Sequence, residues 1–475
     1  MQAILDVLNG YLGVANDFLY GKFLIVLLIA AGIYFTIRTK GAQFRLFPDS
    51  FKCIMEKGEE GKTSSFQALM VATASRVGTG NIAGVTTAIV LGGPGAVIWM
   101  WIMAILGCAS ALVESTLAQV YKEKDEETGG FKGGPAYYMQ RALGQRWLGI
   151  IFAIILILTF GFGFNGLQAY TFTSAFNVYF DNFEGSMIPV IIGVVIAGLT
   201  AFVFFSGSQM TSKISSVVVP VMAGLYIIVG IVVFFMNLDK VPAAAGAIVE
   251  NAFNFEAIFG GFAGSCVVQG IKRGLFSNEA GMGSAPNAAA TADVSHPVKQ
   301  GLVQVLSVFI DTILVCSTTA FMVILAGPTG AVDANGELIN GIPFVQMALS
   351  SQFGAIGIHF ITVCIMLFTF TSIIGNFYYV EQNIKFISES KTFMTVMRLL
   401  GVGMVFVGAN VDLAFAWNLA DVLMGGMATI NIVTIFVLGG QAFKVIKDYE
   451  KQRKEGKDPV FKAADVGIEN VDFWK

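Results

Sequence analysis

Residues 66–91 read FQALMVATASRVGTGNIAGVTTAIVL, an apolar run cut at its centre by Val77-Gly78-Thr79-Gly80-Asn81 and marked just before the cut by Arg76. A helix crossing lipid satisfies its backbone internally, because each unpaired N–H or C=O in hydrocarbon costs several kcal/mol. Glycine weakens a helix interior and lets another group approach the main chain. A break of this kind is therefore expected to face a ligand or a polar cavity inside the protein.

The rest of the chain fits a membrane setting. Of 475 residues 55% are hydrophobic and only 13% charged, with 42 phenylalanines, too little polar surface for a soluble protein of this length. A spanning helix needs roughly 20 apolar residues. Runs of that kind occur at about 23–37, 66–92, 96–120, 147–178, 187–205, 214–236, 259–276, 301–326, 354–380, 393–409 and 413–441. They are continuous rather than alternating, which excludes a membrane β-barrel. The expected fold is an all-α polytopic membrane protein with eleven transmembrane helices.

Basic residues suggest the orientation. With the amino terminus outside, the inner loops and tail hold 26 of the 29 Lys and Arg, leaving Lys22 and Lys240 outside and Arg76 in the membrane. The segment before the first run lacks the pattern of a cleavable signal, so the amino terminus is expected to be kept. Five cysteines, mostly in apolar runs, imply no disulfide framework. The net charge of −3 gives no support to nucleic-acid binding.

Setting the first run aside, ten helices divide into two blocks of five. The expected organisation is 1–65 as outer amino terminus, peripheral helix and loop, 66–240 and 241–443 as two inverted repeats, and 444–475 as a cytoplasmic tail. Five being odd, the halves have opposite topology. Each opens with a glycine-interrupted helix, the second around Gly270 to Gly283. Paired discontinuous helices in inverted halves point to a midplane binding site of a transporter. Gly84, Gly107 and Gly224 read instead as helix-packing glycines.

An α-amino acid needs donors for its carboxylate and acceptors for its ammonium. The half-helix beginning near Asn81 aims amides at the gap and the one ending near Val77 offers carbonyls, so Gly78, Thr79, Gly80 and Asn81 are candidate substrate contacts. Asn165 and Gln168 share one helix face and either line the cavity or bond between helices. Phe368, Ser372 and Asn376 recur every four residues beside Thr371, a face with a hydroxyl and an amide. Ile271 is a candidate for the apolar wall. The intramembrane charges Arg76, Glu114, Asp311 and Asp421 are expected to be paired or functional, with Arg76 matched to one of the acids. Lys272 and Arg273 read as marking the cytoplasmic end of their helix.

Four strings carry a family resemblance: SRVGTGNIAGV at Ser75 to Val85, GGPGAVIWMW at Gly92 to Trp101, GGPAYYM at Gly133 to Met139, and RGLFSNEAGMGSAP at Arg273 to Pro286. Together they resemble the alanine or glycine:cation symporter family, and the likeness covers nearly the whole chain. It implies a leucine-transporter-type inverted repeat with one extra amino-terminal helix, in the cell membrane, coupling sodium entry to uptake of a small neutral amino acid. By the same resemblance sodium would lie among the carbonyls of Ala74, Val77 and Phe368 and the hydroxyls of Thr371 and Ser372. At Asn376 the family pattern leads one to expect tryptophan. An amide there implies a larger, more polar pocket that admits serine or glutamine beside alanine and glycine. A proton-coupled or exchanging carrier is the alternative. A channel fits less well without a repeated filter motif, and an enzyme without a catalytic constellation, since His296 and His359 stand far apart. No obligatory protein partner is evident.

Overall fold

The computed structural model describes residues 2–183, 185–261, 265–327, 330–332, 336, 338–411 and 413–474. The expected span at 259–276 therefore lies partly outside the described residues, at 262–264. Among those described, nine helices are long and apolar enough to cross a membrane: Val7–Arg38, Ala96–Val120, Arg146–Tyr179, Ile188–Ser206, Ser208–Met236, Pro297–Ala326, Ala355–Ile387, Lys391–Gly408 and Ala414–Lys454. Two interrupted helices stand beside them, an arrangement consistent with the eleven spans expected from the sequence. One antiparallel pair, Glu123–Lys124 with Phe131–Lys132, forms a small hairpin in a polar loop. Helices such as Ile188–Ser206 expose Ile191, Val194, Val195 and Leu199 on one side, a face suited to lipid.

The first interrupted helix begins with a capping box in which Ser64 and Gln67 satisfy each other's backbone N–H. It runs Ser65–Arg76, breaks at Val77 and Gly78, and resumes through Thr79 into Gly80–Gly84 and Val85–Gly92. The second starts under a Ser265 cap, runs Cys266–Asn278, and breaks where Glu279, Gly281 and Gly283 all take positive φ, of 56°, 84° and 82°. A single turn, Pro286–Ala289, follows. The break is thus confined to the end of the expected stretch. Gly270 is helical and packs on Ala96 and Trp99, which explains a glycine there without any interruption.

Two further expectations need correction. The first long helix starts well before residue 23, because its polar residues are satisfied by neighbours: Asn9 and Asn16 bond to Asn418, and Asn16 also receives Lys272. Lys22 consequently falls inside that helix rather than before it. Gly107 does pack, against Ala280, but Gly224 meets nothing within 4 Å and has no packing role.

The last helix continues to Lys454, past the expected end of its span, and the tail then folds back on the protein. Phe461 N–H donates to Ser295 O, Lys299 pairs with Asp458 at 2.7 Å, and the Trp474 indole N–H donates to Gln119 O at 2.7 Å. Lys122 sits over Phe131, Phe473 and Trp474, with Nζ 3.8 Å from the Phe131 centroid. Trp474 is only 6% exposed. Trp474→Ala is expected to lower stability by roughly 3 kcal/mol, read as a fall in the melting temperature of detergent-purified protein. An unchanged melting temperature would show that the tail merely rests on this surface.

Candidate substrate and cation site

The first break touches the end of the helix that leads into the second. A Cβ on Gly80 would fall 2.8 Å from the Phe276 ring and 3.2 Å from Ser277 Cα, so the absence of a side chain lets the interrupted helices touch. Phe276 also packs against Phe164, tilted, at 4.5 Å and edge-to-face on Trp417 at 5.0 Å between centroids. These three rings form the apolar wall beside the break. Ile271 is fully buried but lies well inside its helix, away from the interruption.

At the first break the freed backbone is redirected. Val77 leaves the helix at ψ 91°, and the Gly78 N–H turns to Asn81 Oδ1 at 2.9 Å. Ala74 O thereby loses the partner that a continued helix would supply. Gln168 Oε1 accepts from both the backbone N–H and the hydroxyl of Thr79, at 3.0 and 2.7 Å. Asn81 donates to Asp311 Oδ1 at 2.7 Å, and its carbonyl accepts from Thr319 at 2.6 Å. Every residue from Gly78 to Asn81 is buried.

Three of the oxygens expected around a cation, Val77 O, Phe368 O and Ser372 Oγ, lie together. Ser372 Oγ lies 3.1 Å from Val77 O and 2.9 Å from Phe368 O, bridging the first break to the helix Ala355–Ile387. Thr371 Oγ1 lies 3.0 Å from Phe368 O and 2.9 Å from Leu367 O. Both hydroxyls bond back to their own helix, as Ser and Thr in apolar helices do, but Ser372 also reaches across. Such hard oxygens suit an alkali cation. Ala74 enters through Gly375, where an added Cβ would stand 2.7 Å from Ser75 N and 3.2 Å from Ala74 C, so the two helices touch there.

Asn165 and Asn376 come together, with Asn376 Nδ2 donating to Asn165 Oδ1 at 2.9 Å. Asn376 Oδ1 lies 2.6 Å from Ser75 Oγ, which lies 2.8 Å from Glu279 Oε1. Asn165 Nδ2 is buried without a protein acceptor. The amides bond between helices, and one donor is left without a partner.

Of the intramembrane charges Asp421 is paired, as expected, whereas Arg76 is not. Arg76 pairs with no acid among the described residues. It donates from Nη1 to Gln304 at 3.1 Å while Nε and Nη2 stay unpartnered. Glu114 accepts from the Gly281 and Gly283 N–H groups and from Asn431, which braces the second break. Asp311 accepts from Asn81, Ser277 and Thr312. Asp421 binds Lys272 at 2.7 Å and Arg273 at 3.1 Å, all three buried. Lys272 and Arg273 therefore stand before the break inside the protein, and do not mark a helix end. Reading the sequence one residue at a time also passed over Ser75, Ser277, Glu279 and Gln304. The signal available for Glu279 was an acid between two apolar segments in a glycine-rich stretch.

At the end of the molecule bearing the tail, a cavity of about 290 Å³ is lined by residues including Lys62, Gln67, Asp125, Phe131, Thr291 and Tyr378. Tyr378 and Thr291 join hydroxyls across it at 3.1 Å. Burial works to raise the Asp125 carboxyl, but the Lys385 ammonium 2.9 Å away wins and holds it below the usual carboxylate range.

Comparisons with known proteins agree with this architecture. The chain is 46% identical over 469 residues to the amino-acid carrier protein AlsT of Bacillus subtilis, covering 98% of each chain. It is 44% identical to the probable sodium/glutamine symporter GlnT of the same organism, covering 96% of this chain and 94% of that one. The sodium/alanine symporter AgcS of Methanococcus maripaludis is 37% identical over 92% of this chain and 96% of its own. Among solved structures, that of MhsT in complex with L-phenylalanine superposes with a TM-score of 0.53 at 14% identity, covering 82% of this chain and 99% of that one. That likeness shows a leucine-transporter-type fold. Residues 5–463 match the model of the sodium:alanine symporter family, and the chain is a multi-pass membrane transporter belonging to that family.

Proposed function

We propose that the protein couples inward sodium movement to uptake of a small neutral amino acid by alternating access, with alanine and glycine as core substrates and serine and glutamine admitted. The observation that carries this reading is the convergence of Val77 O, Phe368 O and Ser372 Oγ beside the Gly78–Asn81 break. Sodium would take those oxygens together with Ala74 O and Thr371 Oγ1. The substrate carboxylate would take the Thr79 donors now held by Gln168, with Gly78, Gly80 and Asn81 shaping the gap. Asn165 Nδ2, buried and unpartnered, is a donor for a polar side chain, with Asn376 setting its orientation. The likeness to a probable sodium/glutamine symporter agrees with that polar pocket. The repeats are taken as 66–240 and 241–443, with the amino terminus outside and the tail in the cytoplasm.

Sodium would order the first break and raise substrate affinity, a reciprocal coupling of about 1–3 kcal/mol. The test is uptake of labelled alanine into proteoliposomes with and without an inward sodium gradient, against unlabelled glycine, serine, glutamine and leucine. Accumulation that follows the gradient supports the symporter. Gradient-independent exchange would replace it with the alternative carrier, and accumulation driven by a proton gradient would do so as well. That second reading draws on relatives described as sodium/proton-dependent alanine carriers. In the same assay the double variant Thr371→Ala, Ser372→Ala is expected to lose sodium dependence while remaining folded. Unchanged dependence would remove the cation assignment.

A further inference from the structure

We propose that Glu279 is a positioning residue that transmits occupation of the cation site to the second interrupted helix. The inference rests on the sodium-coupled reading given above. The residue stands first in the second break, where its backbone takes φ 56°, ψ 14°, a left-handed conformation that side chains other than glycine, asparagine and aspartate seldom adopt. Such a conformation persists only where surrounding contacts hold it. Here the carboxylate supplies them. Oε1 lies 2.8 Å from Ser75 Oγ on the first interrupted helix, and Oε2 accepts from Ser284 Oγ at 2.7 Å on the far side of its own break.

Ser75 is the informative partner. It directly follows Ala74 and stands two residues before Val77, whose carbonyls are candidate sodium ligands, and its Oγ also lies 2.6 Å from Asn376 Oδ1. Asn376 is one helical turn beyond Ser372 and holds Asn165. A single chain of close polar contacts, Asn165, Asn376, Ser75, Glu279, Ser284, in which the one Ser75 hydroxyl proton is shared between Asn376 Oδ1 and Glu279 Oε1, therefore crosses four helices and passes beside the cation oxygens without supplying one. Glu279 is the only member of it on the second break that touches the first interrupted helix. Drawing Val77 O and Ser372 Oγ onto a cation would shift Ser75, and the carboxylate would carry that shift into the turn at Glu279 to Ala285. The other brace of that turn, Glu114, grips the backbone of Gly281 and Gly283 from a different helix and has no link to Ser75 among its contacts. Position and coupling are thus divided between two acids: Glu114 holds the turn, and Glu279 connects it.

The experiment measures alanine uptake by Glu279→Gln and by Ser284→Ala in proteoliposomes, across a sodium titration at several alanine concentrations, beside the unmodified protein. Glutamine keeps the shape but can accept at only one of the two oxygen positions. The expected result for Glu279→Gln is a sodium half-saturation raised by about tenfold, and an alanine KM that no longer falls as sodium rises, with KM at saturating sodium little changed. Ser284→Ala, which leaves the carboxylate and its bond to Ser75, is expected to move in the same direction by a smaller factor, and it decides the matter should the glutamine variant fail to fold. A lower maximal rate with unchanged sodium half-saturation and unchanged coupling in both variants would reduce Glu279 to a structural brace and overturn the inference. Uptake by the unmodified protein that ignores sodium would instead remove the symporter reading, and the positioning role with it.

Discussion

Gly78→Ala is expected to reach the membrane in normal amounts and to transport alanine at least about 100-fold more slowly, a loss of about 2.7 kcal/mol at 1.36 kcal/mol per decade. The reason is crowding at one point. A Cβ on Gly78 would collide with Ser372 Oγ and stand 2.8 Å from Gln168 Nε2 and 2.9 Å from Gln168 Oε1. All three atoms end side chains, so the clash can be relieved by rotation, and overpacking of this size costs about 1–3 kcal/mol rather than the fold. Relief, however, takes Ser372 off Val77 O and Phe368 O, and takes Gln168 off the Thr79 donors. The site is lost in making room. Gly224→Ala is the control, because nothing lies within 4 Å of its added carbon and alanine is favoured over glycine in a helix. Uptake by Gly78→Ala within a few-fold of the unmodified protein would show that the first break does not touch the transported species.

The break at Gly78 was legible because its signal is local: two glycines and an asparagine inside an apolar run have few meanings in lipid. Helical spacing likewise puts Phe368, Ser372 and Asn376 on one face, but a cation role for Thr371 and Ser372 came only with the family resemblance. Features decided by a distant partner were not legible. Lys272 and Arg273 looked like a helix-end marker because their counter-charge, Asp421, is 148 residues beyond Arg273. The first helix looked short because Asn9 and Asn16 lower its apolar character, and only the last helix supplies the partners that make them compatible with a span. Glu279 escaped attention for a related reason. Its partners are hydroxyls, which leave no charge pattern in the sequence, and its meaning depends on Ser75 lying opposite. Gly270 misplaced the second break because close packing and chain interruption both select glycine; Ala96 and Trp99 distinguish them.

Asp421→Ala is expected to prevent accumulation of folded protein. Asp421 is fully buried and accepts from Lys272 and from both Nη atoms of Arg273, at 2.7, 3.1 and 3.4 Å, while its backbone carbonyl accepts from Tyr20. Removing one partner of a buried ion pair costs about 3–5 kcal/mol because the other charge stays behind desolvated, and here two cations would stay behind. Among the described residues no second acid bonds to either: Lys272 keeps Asn16 Oδ1 at 3.0 Å, with Asp17 acting on it only at longer range, and Arg273 keeps the face of Trp417, 3.8 Å from the ring centroid. The loss is comparable to the whole stability of many proteins, about 5–15 kcal/mol. Size-exclusion profiles of detergent extracts should show little monodisperse material for Asp421→Ala, and more for the triple variant that adds Lys272→Met and Arg273→Met, since that removes the stranded charges together with their partner. Wild-type yield and melting temperature for Asp421→Ala alone would mean that water reaches this cluster and that the charges are solvated. The extra amino-terminal helix joins this cluster, Asn16 accepting from Lys272 and Tyr20 donating to the Asp421 carbonyl, so the same loss of folded protein is expected, in smaller measure, for Asn16→Leu.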